Sequence, residues 1–332
     1  MSGVPQGSIL GPLLFLVYVN DITHSSDKLF FTIFADDTSI IYKDSNLDKA
    51  QHIVNKELSH VSDWFKANKL SLNVKIWYFM VFQPTQRKCN NVHLFIDNCE
   101  ISRADNIKFL GIHIDPFLKW DVHIHNIRSK LSKTIGILFK IKDFVPSFVL
   151  KNLYNSLVLS HLSYCNIVWG NTHTKYLNDL FFLQKKMIRL ISNSGYRDHT
   201  RALFHSCNLL NIFDIYRHQL GIFMYKFINN LLPSTFTNYF SLNSEIHSHN
   251  TRASFNFHKP SINTESFKRS VISTGEQLWN NTCPKIKQAK SLSTFVHLFK
   301  ANLLSKRYFL SKGAWEVRAE HTLFFFFFIQ FL

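Results

Sequence analysis

Short apolar runs around one long helical stretch mark the first third of the chain, and helical steps mark most of the rest. Leu29-Phe30-Phe31-Thr32-Ile33-Phe34 is an aromatic, β-branched run, and Ser39-Ile40-Ile41-Tyr42 is a second. Both read as strands joined by a tight turn with Asp36 and Asp37 at its tip. Ahead of them, the loop Gly3 to Pro12 leads into Leu13 to Val19, which reads as a helix. From Ser45 to Leu70 the pattern is helical: Leu47, Val54, Leu58, Val61 and Phe65 form one face, and Ser45 with Asp48 suggests a capping box. Met80-Val81-Phe82 reads as a strand, Val92 to Ile101 as a hairpin turning at Asp97-Asn98, and Phe109 to Asp115 as a further strand.

Helical steps then dominate. Ile124, Ile127, Leu131, Ile135, Leu138 and Ile141 predict a helix over Asp121 to Val145, ended by Pro146. Phe148 to Leu162 and Tyr176 to Ser192 predict two more, and Leu203 to Leu232 continues the character. Ser241 to Lys268 is rich in Asn, Ser and His and reads as a loop or linker, and Phe267 to Tyr308 as folded again. The pattern ends at Ser311. Phe324 to Phe328 is a homopolymer too short to span a bilayer, so residues 311–332 are expected to be disordered or aggregation-prone. Strands early and helices late predict an α+β class.

Charge changes the picture. The 332 residues suffice for two or three compact units, and 38 Lys and Arg against 22 acids give a net charge of +16. A balance that basic points to a polyanion, either nucleic acid or an anionic membrane surface. Five cysteines, an odd number with no CxxC spacing, indicate neither a disulfide framework nor a zinc knuckle. They fit a reducing, intracellular setting, with nucleus and cytoplasm both open. Ser8 to Val19 has no preceding basic residue and no cleavage site, so it does not read as a secretory signal, and no stretch is long enough to cross a membrane.

Two places carry candidate chemistry. Adjacent acids repel, so Asp36-Asp37 is either a solvated turn or a site where a divalent metal offsets the repulsion. The loop Gly3-Val4-Pro5-Gln6-Gly7-Ser8-Ile9-Leu10-Gly11-Pro12 is not a phosphate-binding Walker loop, because no Lys-Ser/Thr follows. Gly7 and Gly11 would let a bulky partner approach the backbone, and Gln6 offers both a donor and an acceptor.

Gly3 to Pro12, Asn20-Asp21-Ile22 and Phe34-Ala35-Asp36-Asp37, taken together, resemble the second half of a reverse transcriptase palm of the non-LTR, LINE- or jockey-like retrotransposon kind. The resemblance implies an RNA-directed DNA polymerase acting by two-metal nucleotidyl transfer, with RNA template, DNA primer and deoxynucleotides as partners. It assigns Asp36 and Asp37 to catalysis and to magnesium. It assigns Pro5, Gln6 and Gly7 to the template and nucleotide, and Leu110 and Gly111 to primer positioning. Residues 1–116 would be a partial palm, an antiparallel sheet with packed helices. Residues 117–200 would be a helical thumb whose Arg128, Lys130, Lys133, Lys185, Lys186 and Arg189 meet the nucleic-acid backbone, and 201–310 a C-terminal helical and loop region. Ser163 to Gly170 and Leu278 to Pro284 resemble later parts of the same proteins.

Two departures weigh against activity of the chain by itself. Ile76-Trp77 stand where the family pattern has Lys-Thr, and Lys75 is one residue early, which on a strand turns a side chain to the opposite face. The third carboxylate of the family belongs to an earlier palm strand, so the chain reads as N-terminally truncated, with two magnesium ions not expected to be fully bound. The same gap predicts an unpaired sheet edge. The alternatives are a catalytically dead nucleic-acid-binding remnant and a non-functional relic.

Overall fold

A computed structural model describes residues 5, 7–82, 92–246, 254–259, 261, 264–305 and the backbone of 323–330. The chain divides into two compact units, Met1–Leu118 with Glu320–Leu332, and Lys119–Ala319. The class is α+β, as the pattern predicts, with the strands confined to the first unit.

The first unit opens with helix α1 (Leu10–Val19). The Ser8 hydroxyl accepts from the Gly11 N–H at 3.1 Å and supports the first turn. α1 is apolar all round yet buries only Val19, leaving Leu10, Leu13, Leu14 and Val17 half or more exposed. A helix of that composition is ordinarily buried. Strands β1 (Phe30–Phe34) and β2 (Asp37–Asp44) form the expected antiparallel hairpin. Helix α2 (Leu47–Ala67) follows, with Val54, Leu58, Val61 and Phe65 all buried against Ile40, Phe79 and Val81 of the sheet. Its N-cap is Asn46, whose side chain accepts from the Lys49 N–H at 3.0 Å, rather than the predicted Ser45. An Asn at the cap does the same work as Ser, one position later.

β3 (Tyr78–Phe82), β4 (Phe95–Ile96), β5 (Cys99–Glu100), β6 (Ser102–Arg103), β7 (Ile107–Phe109) and β8 (Ile112–Ile114) complete the N-terminal strands. β4 and β5 turn at Asp97-Asn98, as expected; both residues have positive φ (48° and 62°), which a two-residue type I′ turn requires. The predicted single strand over Phe109 to Asp115 is instead the end of a second hairpin. Leu110 and Gly111 have φ of 44° and 83°, so the chain reverses where continuous apolar character suggested it would run on.

The larger sheet has the order β1-β2-β9-β3-β6, where β9 is Leu323–Gln330. These eight residues have strand backbone within the stretch expected to be disordered or aggregation-prone. β9 pairs antiparallel with β2 from Asp37↔Gln330 to Asp44↔Leu323, and with β3 from Tyr78↔Phe328 to Phe82↔Phe324. The unpaired edge expected of this sheet is therefore covered from within the chain. Phenylalanine favours strands, and two open edges offer a Phe-rich segment ladders on both sides. The rest of the predicted tail, residues 311–322 and 331–332, lies outside the described residues, as does Cys89.

The second unit is helical. α3 (Asp121–Ile141) buries Ile124, Ile127, Leu131 and Leu138. α4 (Ser147–Tyr154) begins after Pro146 and runs through a π turn at Asn155–Leu159 into α5 (Ser160–Ser163). α6 (Asn166–Trp169), α7 (Thr174–Ile191), α8 (Thr200–Ser206) and α9 (Ile212–Ile228) follow, with α7 packed on both α8 and α9. Short helices α10 (Asn243–Ile246) and α11 (Glu265–Lys268) lead to α12 (Val271–Asn280), α13 (Pro284–Lys287) and α14 (Leu292–Ser305). Within the predicted linker, Phe257 is buried against Phe227 and Phe240, an aromatic anchor that the polar composition around it conceals. No described helix is long and apolar enough to cross a membrane.

Candidate active site

The turn between β1 and β2 is as short as a hairpin allows. Phe34 pairs with Asp37, leaving Ala35 and Asp36 as its two central residues. Ala35 has a φ of 51°, a left-handed conformation that such turns require and that costs an alanine about 1–2 kcal/mol. The turn puts Asp36 at the tip and Asp37 at the first position of β2. Asp36 is exposed, whereas Asp37 is half-buried, with one carboxylate oxygen (Oδ1) fully enclosed and without a hydrogen-bond partner among the described residues. Burial raises the Asp37 pKa, and the neighbouring Asp36 charge raises it further. The hydroxyls of Thr38 and Ser39, both fully buried just behind the turn, are likewise without partners among the described residues.

The pair suits a metal on chemical grounds: hard oxygens, one of them unsatisfied, and a mutual repulsion that a divalent cation would relieve. Asp36 and Asp37 could together hold one such ion. Among the described residues no group of three or more His, Cys, Asp or Glu side chains is disposed to hold a metal.

The other predicted positions fall at several places. Pro5 and Gly7 are exposed and belong to one turn, closed by the Ser8 N–H donating to the Pro5 carbonyl at 3.1 Å, and Gly7 has a φ of 87°, a backbone conformation that favours glycine. Gln6 lies outside the described residues. Leu110 and Gly111 form the tip of the β7–β8 hairpin. Lys75 is exposed on a 3₁₀ turn, Val74–Ile76, that precedes β3. The face-flip expected of a strand therefore does not apply to it: successive residues of a 3₁₀ turn differ by a third of a circle. Trp77 points into the core, 2% exposed, its ring edge-on to Phe65 at 6.0 Å.

In the second unit, Lys130 and Lys133 are exposed on α3, and Lys186 is exposed on α7. Arg128 donates to Asp179 of α7 at 3.4 Å, and Arg189 donates twice to the Asp198 carbonyl, at 3.1 and 2.9 Å. Lys185 lies 4.3 Å from the centre of the Phe181 ring.

The sequence reading missed Glu57, which steadies the approach to β1. It accepts from the buried Ser26 hydroxyl at 2.7 Å and pairs with Lys28 at 3.0 Å. Burial alone would raise its pKa, but the hydrogen bonds from Ser26, Lys28 and His60, with the Lys28 charge, outweigh burial and lower it. The signal was present: Glu57 sits in the apolar phase of α2, between Val54 and Leu58.

Residues 1–114 match the family described as "Reverse transcriptase (RNA-dependent DNA polymerase)". The chain is similar to the RNA-directed DNA polymerase from mobile element jockey of Drosophila melanogaster, at 28% identity over 213 residues, 61% of this chain and 23% of that one. The jockey polymerase of Drosophila funebris is 26% identical over 63% of this chain and 23% of its own length. The probable RNA-directed DNA polymerase from transposon X-element of Drosophila melanogaster is 23% identical, over 64% and 24%. The chain is thus similar to RNA-directed DNA polymerases of mobile elements. The chain spans about a quarter of the length of these relatives. No solved structure matches.

Proposed function

We propose that this chain carries the metal-binding turn of a retrotransposon polymerase whose reaction is RNA-templated addition of deoxynucleotides to a DNA primer. The observation that carries the reading is the strained hairpin tip at Ala35, which holds Asp36 and Asp37 together with one Asp37 oxygen buried and unpartnered among the described residues. In this reading the first unit is a palm, the turns at Pro5–Gly7 and Leu110-Gly111 contact template and primer, and α3 to α7 act as a thumb. Lys130 and Lys133 are exposed toward any phosphate backbone, whereas Arg128 and Arg189 must first give up partners within the chain. A bound divalent cation supplies Lewis-acid stabilisation of the phosphoryl oxygens. Asp36 and Asp37 bring the hard oxygens that hold it, and their turn fixes where it sits.

Two carboxylates suffice for one weakly held ion but not for a fully clamped pair, so the chain by itself binds cation and primer–template without extending the primer. The test measures Mn2+ binding by electron paramagnetic resonance beside primer extension on a primed RNA template. The expected result is cation binding that Asp36→Ala with Asp37→Ala abolishes. Unchanged cation binding in the folded double variant would overturn the assignment of the turn.

A further inference from the structure

In the second unit, α7, α8, α9 and α14 surround a cavity of about 370 Å³, of whose lining the polymerase reading uses Lys185 alone. Lys185, Arg201 and Arg217 line it, with His199 and His205 beside them and Asp214 as the one carboxylate. Asp214 is already engaged, accepting from Arg217 at 2.8 Å and from Asn211. Neither Lys185 nor Arg201 forms an ion pair with any described residue, and Lys185 rests on the face of Phe181. The cavity therefore gathers more positive charge than its own carboxylate balances, and it asks for an anion.

Its wall is aromatic as well as basic. Phe181 stacks on Phe204, with centroids 6.3 Å apart and planes 22° apart, and meets Phe213 edge-on at 5.6 Å. Phe181 and Phe213 are only half-buried, so part of each ring remains open. Cations beside aromatic faces are what a single-stranded nucleotide needs: guanidinium and ammonium groups for phosphate, a ring for the base. The volume lies at the small end of the roughly 300–1,000 Å³ range of ligand sites, room for one nucleotide unit and not for a duplex.

We propose that this cleft holds one nucleotide of a single-stranded nucleic acid, its phosphate on Lys185 and Arg201 and its base against Phe181 and Phe213. That the anion is a nucleotide rests on the polymerase reading; that the cleft takes an anion rests on its own charge. Such a site would keep a single strand attached at a place separate from the metal-binding turn.

The test uses the full chain carrying Asp36→Ala and Asp37→Ala, so the metal-binding turn contributes nothing, and reads fluorescence anisotropy of a short labelled oligo-dT across a salt series. Lys185→Ala with Arg201→Ala is expected to weaken binding at least tenfold and to flatten the salt slope by about 0.7, the value for the one phosphate charge no longer neutralised. Phe213→Leu is expected to weaken oligo-dT roughly tenfold while leaving an abasic strand of equal length nearly unaffected. Circular dichroism checks that each variant is folded, and Arg201→Lys, which keeps the charge, is expected to retain most of the affinity. Unchanged oligo-dT binding in folded Lys185→Ala/Arg201→Ala overturns the site. So does an equal weakening of oligo-dT and of a poly-glutamate peptide, which would mark an undiscriminating anion surface. If Lys130→Ala with Lys133→Ala alone abolishes binding, the cleft is overturned while the basic face of α3 stands. Failure of primer extension or of Mn2+ binding leaves this measurement untouched.

Discussion

Trp77→Thr restores one of the two residues that the family pattern places at 76–77, and the structure says what that restoration costs. Trp77 is 2% exposed in the core beneath α2 and meets Phe65 edge-on. Truncating a buried Trp costs about 3–5 kcal/mol, a figure that already includes the cavity left behind. The threonine hydroxyl adds a further penalty of about 1–3 kcal/mol, because the surrounding buried side chains, among them Leu58, Val61 and Phe79, offer it no partner. The expected destabilisation is about 4–8 kcal/mol, comparable to the whole stability of a modest domain. Urea unfolding followed by far-ultraviolet circular dichroism measures it without depending on the fluorophore removed. Pairing the substitution with Phe65→Leu is expected to return a coupling of about 0.5–1.5 kcal/mol for the edge-to-face contact. Ile76→Lys, on the 3₁₀ turn, is expected to cost far less. A cost below about 1 kcal/mol for Trp77→Thr would refute the placement of this side chain in the core and reopen the position to a catalytic role.

Three further outcomes follow from the first unit. Ala35→Gly is expected to stabilise the hairpin by up to about 1–2 kcal/mol by relieving its left-handed φ; a destabilisation in the same urea experiment would contradict the strained turn. Glu57 has a lowered pKa, so its stabilisation is present above the unfolded-state value of about 4.3 and is lost as pH falls through the folded-state value below it. Glu57→Gln is expected to flatten the acid limb of stability against pH, and an unchanged limb would count against the Ser26–Glu57–Lys28 contact. Removing residues 320–332 opens β2 along Asp37–Asp44 and β3 along Tyr78–Phe82. Concentration-dependent self-association in light scattering, with faster amide exchange in β2, is the expected result, and a monomer with protected β2 amides would exclude the strand pairing.

The parts of the fold written in local periodicity were legible, and those written in long-range pairing were not. α2 was readable because five apolar residues recur on one face, and the Asp97-Asn98 turn because those residue types tolerate positive φ. Leu110-Gly111 misled because leucine rarely takes a φ of 44°, so an apolar run looked like an unbroken strand. β9 could not be found from its own residues. A run of phenylalanines carries propensity but no register, and its partners lie more than two hundred residues earlier in the chain.

The candidate site divides the same way. The sequence places two carboxylates side by side, and that much is chemistry that residue types can announce. What distinguishes them is burial: Asp36 stands in solvent while an Asp37 oxygen is enclosed and unpaired among the described residues, so the two are unequal ligands. The inequality arises because Asp37 is the first residue of β2, paired on one side with Phe34 and on the other with Gln330. A strand at each flank removes water from Asp37 and leaves Asp36 projecting at the turn. The same C-terminal strand that closes the sheet thus helps to set the electrostatics of the hairpin tip, and taking it away is expected to bring the Asp37 carboxyl back toward the ordinary carboxylate range.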